Sequence, residues 1–298
     1  MSNTVSPIFF DSQVQDDFEK NGYVKIKLLD DNDVLILVDL FQQYFPDPSK
    51  DFYSSSYDNN YELKKRMSDE IGKIVLPRLN GLFRDFTWFG SAFLSKGNGP
   101  RSEMPMHQDW TIVDEKKHVA LNIWTPLQST DEENGTIEVI PGSHRWHQSL
   151  RAPTLPFYYD GFQSQLKTAL RPVLASVGEA VVLNQGIIHY SKANKTDQTR
   201  IAITTGIKSG DAPMLFHYWD KTNPERIEIF EQENDFLIRF ENFHQAIFKR
   251  PLIGKSIGTK PFILPKVSQE EINRLVGKSS DGPKKKGLVN KMFQWIRG

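Results

Sequence analysis

At 298 residues the chain is long enough for one large β-rich domain with added helices, or for two small domains. Its 37 basic and 37 acidic side chains cancel, which removes the global electrostatic case for a nucleic-acid partner, and the absence of cysteine excludes disulfides, thiolate zinc sites and iron–sulfur clusters. A hydrophobic fraction of 38% with 12% aromatics suffices for a packed core and an aromatic-lined pocket, so a globular enzyme is the default.

Residues 1–10 contain no cationic stretch followed by an apolar core, and no run approaches the roughly 20 apolar residues of a membrane span, which predicts a cytoplasmic protein. The spacing predicts a short helix over 14–20, a strand over 22–29 and a helix opening at Asp30 or Asp31. In that helix Val34, Leu37, Val38, Phe41 and Phe45 form one apolar stripe, closed by Pro46 and Pro48. Residues 47–60 are polar and read as a loop. A second stripe of Leu63, Met67, Ile71 and Val75 predicts a helix over 61–82 that Pro77 ends or kinks.

From Phe86 the period changes to two. Candidate strands cover 86–96, 106–111, 118–127, 136–140, 170–175, 180–184, 187–190 and 200–208, separated by glycine, proline and asparagine turns. Strands in that number, with long crossings, predict a mainly β fold with flanking helices: a double-stranded β-helix, the jelly-roll or cupin-like barrel. Residues 146–167 interrupt the strands, and Phe157, Tyr158 and Tyr159 favour a lid there. Residues 224–248 read as an amphipathic helix with Ile227, Phe230, Leu237, Phe240, Phe243 and Ile247 buried, packed on the barrel or binding a partner. The expected division is a core over 1–209 (helical brace 1–85, barrel 86–209), a helical extension over 210–280 and a basic amphipathic tail over 281–298. Through 284–297 the tail is expected to make weak contact with a membrane surface or a partner, which would make the protein peripheral to a membrane.

Within the strand pattern, His107-Gln108-Asp109 sets an imidazole and a carboxylate on one side of an extended chain, with Gln108 pointing away. His189, in a strand-turn-strand run, offers a second imidazole from far along the sequence. Two imidazoles and a carboxylate hold one face of a non-haem Fe(II) and leave the other open. A His-x-Asp pair alone is weak, and a hydrogen-bonded polar cluster without metal is its bland alternative. Arg200 opens the next strand as a fixed positive fork suited to a dicarboxylate, and shares a face with the small Ala202 and Thr204. On strand 118–127 the parity sets His118, Ala120, Asn122 and Trp124 against an aliphatic side of Val119, Leu121 and Ile123, so the mixed side lines the cavity. His118 is a rim residue, and His147, His217 and His244 have no partner at ligand spacing.

Four segments carry a resemblance: MPMHQDW (104–110), VALNIWTPL (119–127), NGTIEVIPGSH (134–144) and HYSKANKTDQTR (189–200). The ordered set resembles the phytanoyl-CoA dioxygenase (PhyH-like) family of Fe(II)- and 2-oxoglutarate-dependent oxygenases, from about 9 to about 208. The resemblance implies that His107, Asp109 and His189 are the metal ligands and catalytic centre. It also implies that Arg200 pairs with the distal carboxylate of the cosubstrate 2-oxoglutarate, that Ser191 lies near that carboxylate, that Trp124 flanks it and that Asn122 hydrogen-bonds it. His144 then belongs to a structural turn. With O2 the implied activity is hydroxylation of an unactivated carbon of a small-molecule or carrier- or CoA-linked substrate, releasing succinate and CO2. Halogenating relatives have a small residue where this chain has Asp109, which favours a hydroxylase. A cupin-like metal enzyme that does not use 2-oxoglutarate, and a non-catalytic binding scaffold, are the two other readings.

Overall fold

The computed structural model describes residues 5–147 and 149–280. Asp11 and Asp30 accept hydrogen bonds from first-turn amides, so α1 (Ser12–Asn21) and α2 (Asp31–Tyr44) begin where a carboxylate can cap them. Between them runs β1 (Tyr23–Lys27), and the stretch expected to be a loop contains β2 (Phe52–Ser54). Its alternating aromatics find a sheet edge to pair with, which outweighs the polar composition around them. α3 (Tyr61–Leu79) runs through Pro77, which falls in the last turn and costs only one backbone hydrogen bond before the helix ends.

The barrel strands expected after Phe86 all form: β3 (Phe86–Lys96), β4 (Met104–His107), β5 (Ala120–Pro126), β6 (Ile137–Val139), then α4 (Gln163–Ala169), β7 (Arg171–Val173), β8 (Glu179–Asn184), β9 (His189–Ser191) and β10 (Arg200–Ser209). They pair antiparallel as β8-β5-β10-β3, extended by β1 and β2 to six strands, and as β4-β9-β6-β7. Two facing four-stranded sets of this kind are the jelly-roll barrel. Trp124, Ile137, Val139, Val181 and Ala202 pack between the sheets. On the outer face of the larger sheet, Leu37, Phe41, Met67, Ile71 and Val75 of the helices are buried against Phe93, Leu121, Ile123 and Ile203. Each such side chain contributes about 1.5–3 kcal/mol of burial.

Two expectations about the barrel change. β4 stops at His107 rather than at residue 111, because Gln108 turns its carboxamide onto the carbonyl of Gly186, 2.5 Å away, and takes the chain out of the strand. The expected lid over 146–167 is docked: Tyr159 is fully buried and clusters with Leu166, Ile188 and Ile272, while α4 takes up its end.

The largest correction concerns 224–248, where no long helix forms. β11 (Met214–Trp219), β12 (Arg226–Gln232) and β13 (Lys255–Pro261) make a three-stranded antiparallel sheet. Arg-Ile-Glu-Ile alternates with period two, and Ile227 and Ile229 are buried while their charged neighbours stay out. Only a 3-10 turn at Phe236–Ile238 and the short α5 (Phe243–Ala246) are helical in this stretch, and the extension ends in α6 (Gln269–Ser280). Phe216, Phe230, Phe236 and Phe240 cluster with Phe89 and Ile112 of the barrel side. The basic tail over 281–298, including 284–297, lies outside the described residues. Among the described residues no helix is long and apolar enough to cross a membrane.

Gly178 shows how tightly the edge of the larger sheet is closed. Its φ is +75°, and a Cβ there would lie 2.3 Å from the carbonyl oxygen of Leu29, whose amide donates back to Gly178. Gly178→Ala is therefore expected to destabilise the fold by about 2–3 kcal/mol through left-handed strain and backbone displacement. Urea unfolding reads this as a lower midpoint with unchanged slope; an unchanged midpoint contradicts the packing described.

Candidate metal centre

His107 ends β4 and His189 opens β9 directly opposite it, so the two rings lie 4.1 Å apart between centroids. Each ring turns Nδ1 to a carbonyl two residues before it, Pro105 at 2.7 Å and Ile187 at 3.1 Å. An N–H donated there selects the tautomer whose Nε2 lone pair is free for a metal. Asp109 follows in the turn after β4, with Oδ1 3.9 Å from His107 Nε2. Its Oδ2 accepts from Asn122 Nδ2 at 3.2 Å, and the Asn122 carbonyl accepts in turn from the Thr204 hydroxyl. One ligand atom from each of His107, Asp109 and His189 lies within 4.8 Å of the others, and no other such group occurs among the described residues. Burial, and then the neighbouring His189, push the His107 imidazole down to about 4, so it is neutral and able to ligate at neutral pH.

A cavity of about 260 Å³ joins these three side chains to Arg200 along the inner face of the larger sheet. Arg200 is the first residue of β10 and pairs in register with Lys96, the last of β3, and both are buried. Neither forms a direct ion pair among the described residues, although Glu103 and Glu138 stand near enough to Lys96 to favour its charged form. Arg200 keeps a buried Nε without a partner and lies over Trp124, 5.1 Å from the ring centroid. Lys96 Nζ donates to Ser191 Oγ at 2.6 Å, to the Ser191 carbonyl at 3.0 Å and to the Lys192 carbonyl. Burial pushes Arg200 down to about 10, and burial followed by the charge of Arg200 pushes Lys96 down to about 6. Lys96 is thus driven toward its neutral form with its donors turned to Ser191 and Lys192, which leaves the Arg200 guanidinium as the buried cation without a salt bridge, and an incoming carboxylate relieves that cost.

The cavity thus collects every site residue singled out from the sequence. His107, Asp109 and His189 converge, and Arg200 and Trp124 stand at the far end. Asn122 lines the cavity, with its carboxamide donating to Asp109 and accepting from Thr204. The Ser191 hydroxyl donates to the Gly135 carbonyl at 2.8 Å and accepts from Lys96, so it holds the lysine in place. Lys96 was missed. Parity alone sets it with Leu94 and Ala92, and only the register against Arg200 reveals that this face is the interior. The remaining histidines lie elsewhere: His217 is buried with Nδ1 on the Thr111 carbonyl at 2.9 Å, His147 faces Glu271 and His244 packs on Tyr57.

Burial pushes His144 and His217 down to about 4, below the ordinary imidazole value of about 6.5. His144 keeps a buried Nδ1 without a partner, pressed where a Cβ on Gly22 would stand. Between about pH 6.5 and pH 4 the unfolded chain binds more protons at these sites than the folded one. Stability is therefore expected to hold above pH 6.5 and to fall as pH drops through that window. Urea midpoints of the metal-free protein at pH 7.5 and pH 4.5 check this; equal midpoints contradict it.

An oxygenase that combines non-haem iron with 2-oxoglutarate needs a metal with one face left open and, beside it, a place where a free carboxylate is preferred to water. The cavity between the two sheets offers both, and the chain is an enzyme of that class. A sequence model described as phytanoyl-CoA dioxygenase (PhyH) matches residues 18–202, and the chain belongs to that family. It is 21% identical over 230 residues to the phytanoyl-CoA dioxygenase domain-containing protein 1 homolog of Dictyostelium discoideum, covering 64% of this chain and 82% of that protein. It is 27% identical over 129 residues to phytanoyl-CoA dioxygenase domain-containing protein 1 of Danio rerio, covering 41% of this chain and 44% of that one. In fold it is similar to the epimerase SnoN, solved in complex with Fe3+, alpha ketoglutarate and nogalamycin RO, with a TM-score of 0.51 at 16% identity over 68% of this chain and 85% of that chain.

Proposed function

We propose that His107, Asp109 and His189 hold one Fe(II), that Arg200, with Lys96 beside it, receives the far carboxylate of 2-oxoglutarate, and that the protein hydroxylates an unactivated carbon of a small-molecule or carrier-linked substrate. The observation that carries this reading is the buried Arg200 guanidinium without a salt bridge, in the same cavity as two imidazoles whose Nδ1 atoms are turned to carbonyls. A metal enzyme that uses no dicarboxylate has no need of that guanidinium, and a binding scaffold gains nothing from leaving it uncompensated. When bound, the iron and the keto acid supply the oxidising chemistry, converting 2-oxoglutarate and O2 to succinate, CO2 and an oxygen inserted into a C–H bond. The chain supplies aim and dryness. Asn122 ties down Asp109 Oδ2 and leaves Oδ1 toward the histidines, while Ser191 and two carbonyls hold Lys96 extended beside Arg200. Trp124 walls the guanidinium on one side and keeps water from sharing its donors.

Iron-loaded protein incubated under air with 2-oxoglutarate and a fractionated small-molecule extract from its source is expected to release succinate together with a product heavier by one oxygen. A product lighter by two hydrogens would replace hydroxylation with desaturation or ring closure. Substrate turnover without consumption of 2-oxoglutarate contradicts the proposal.

A further inference from the structure

A second cavity, of about 230 Å³, continues from the metal-binding side chains away from Arg200 and shares Ser56, Asp109, Asn122, Thr204 and Phe243 with the first. Its walls differ in kind from those of the cosubstrate end. Apart from Asp109 no ionisable side chain lines it, and the Ser91, Asn122 and Thr204 side chains are committed to one another or to neighbours. A β-bulge between Gly206 and Ile207 leaves Phe89 as the extra residue of β3, and its ring lies across Gly206, where a Cβ would be 2.0 Å away. Trp110 stacks on Phe243 at an interplanar angle of 12° to form another wall. Leu237, Ile238 and Phe243 come from the segment beyond the family match, which ends at residue 202. One polar group is left over. Gln185 is 6% exposed, lines this cavity, and has its Oε1 buried with no hydrogen-bond partner. An unsatisfied buried carbonyl is costly, and a ligand donor placed there removes the cost.

We infer that this pocket receives the reacting part of the substrate as a neutral, apolar ring or branched group carrying one hydrogen-bond donor, a hydroxyl or an N–H, which Gln185 accepts. The inference rests on the oxygenase reading and gives it a substrate class. In the metal-free chain a free carboxylate or phosphate at the reacting end meets Asp109 and no cationic side chain among the described lining residues, so the protein itself offers it no partner. In size, a dry cavity of about 150 Å³ takes a benzene ring, so the pocket has room for a fused bicycle. The C-terminal segment, rather than the barrel, then sets how large that group can be.

Indole, 1-methylindole and indole-5-carboxylate titrated calorimetrically into the full metal-free chain test this, with the visible Fe(II)–2-oxoglutarate absorption measured separately on the same preparations. Indole is expected to bind one per chain, 1-methylindole about five- to tenfold more weakly for want of the donor, and the carboxylate not detectably. Gln185→Leu should bring indole to the level of 1-methylindole, and Ile238→Trp should fill the pocket and abolish both, with the iron absorption retained in each variant. The inference is overturned if wild-type protein forms the iron absorption but binds no indole, if the carboxylate binds as well as indole, or if Gln185→Leu keeps the preference for the donor. Indole binding without any iron absorption would leave the pocket standing and remove the oxygenase reading instead.

Discussion

Arg200→Ala is expected to weaken 2-oxoglutarate binding to the metal-loaded protein by about a hundredfold to a thousandfold. Removing one partner from a buried charge pair typically costs about 3–5 kcal/mol, and each 1.4 kcal/mol is about tenfold in affinity. The guanidinium cannot be replaced by water, because Trp124 lies over it and the site is closed by the sheet. Lys96→Met should cost less, about tenfold, since Lys96 gives its donors to Ser191 and Lys192 and the planar fork stays in place. The double variant should lose less than the sum of the two, because the residues are register partners that share one carboxylate. Anaerobic calorimetry with Mn(II) or Fe(II) present measures all three. Affinity within threefold of wild type in Arg200→Ala would mean that the keto acid, if bound, lies elsewhere.

Asp109→Ala is expected to leave the protein folded, strip it of tightly held iron and reduce succinate release by more than about a thousandfold, since the only anionic ligand and the orientation of the pair are lost together. The more informative companion is Asn122→Leu. Its carboxamide touches Asp109 Oδ2 and the Thr204 hydroxyl, so its loss should loosen the carboxylate and lower iron affinity by about tenfold to a hundredfold. Iron content after desalting, read beside succinate release, separates the two cases. If Asn122→Leu retains wild-type iron affinity, the hydrogen bond to Asp109 is incidental. If Asp109→Ala retains full iron and full turnover, the ligand assignment is wrong.

The barrel and its interior walls were legible because both depend on a period of two: Arg200 and Thr204, and Asn122 and Trp124, each share a wall for that reason. Asp109 reaches the site by another route, since β4 ends at His107 and the chain has left the strand. The segment from 224 to 248 was misread because Ile227 and Phe230 fit a helical stripe as well as a strand; Ile229 between them was the discriminating residue. Lys96 stayed hidden because nothing local marks a lysine as interior, and it becomes meaningful only once β3 and β10 are paired. Gln185 likewise looks like an ordinary turn residue until its carbonyl is found buried without a partner.

Three side chains holding one iron, and Arg200 holding one keto acid, meet in a single cavity. Anaerobic titration of Fe(II) into the full chain with saturating 2-oxoglutarate, followed by visible absorption, tests it most directly. A weak charge-transfer band is expected that saturates at about one iron per chain, disappears in His189→Ala and is weakened in Arg200→Ala. A folded protein that binds iron but develops no band with 2-oxoglutarate, or a band undiminished in His189→Ala, contradicts it.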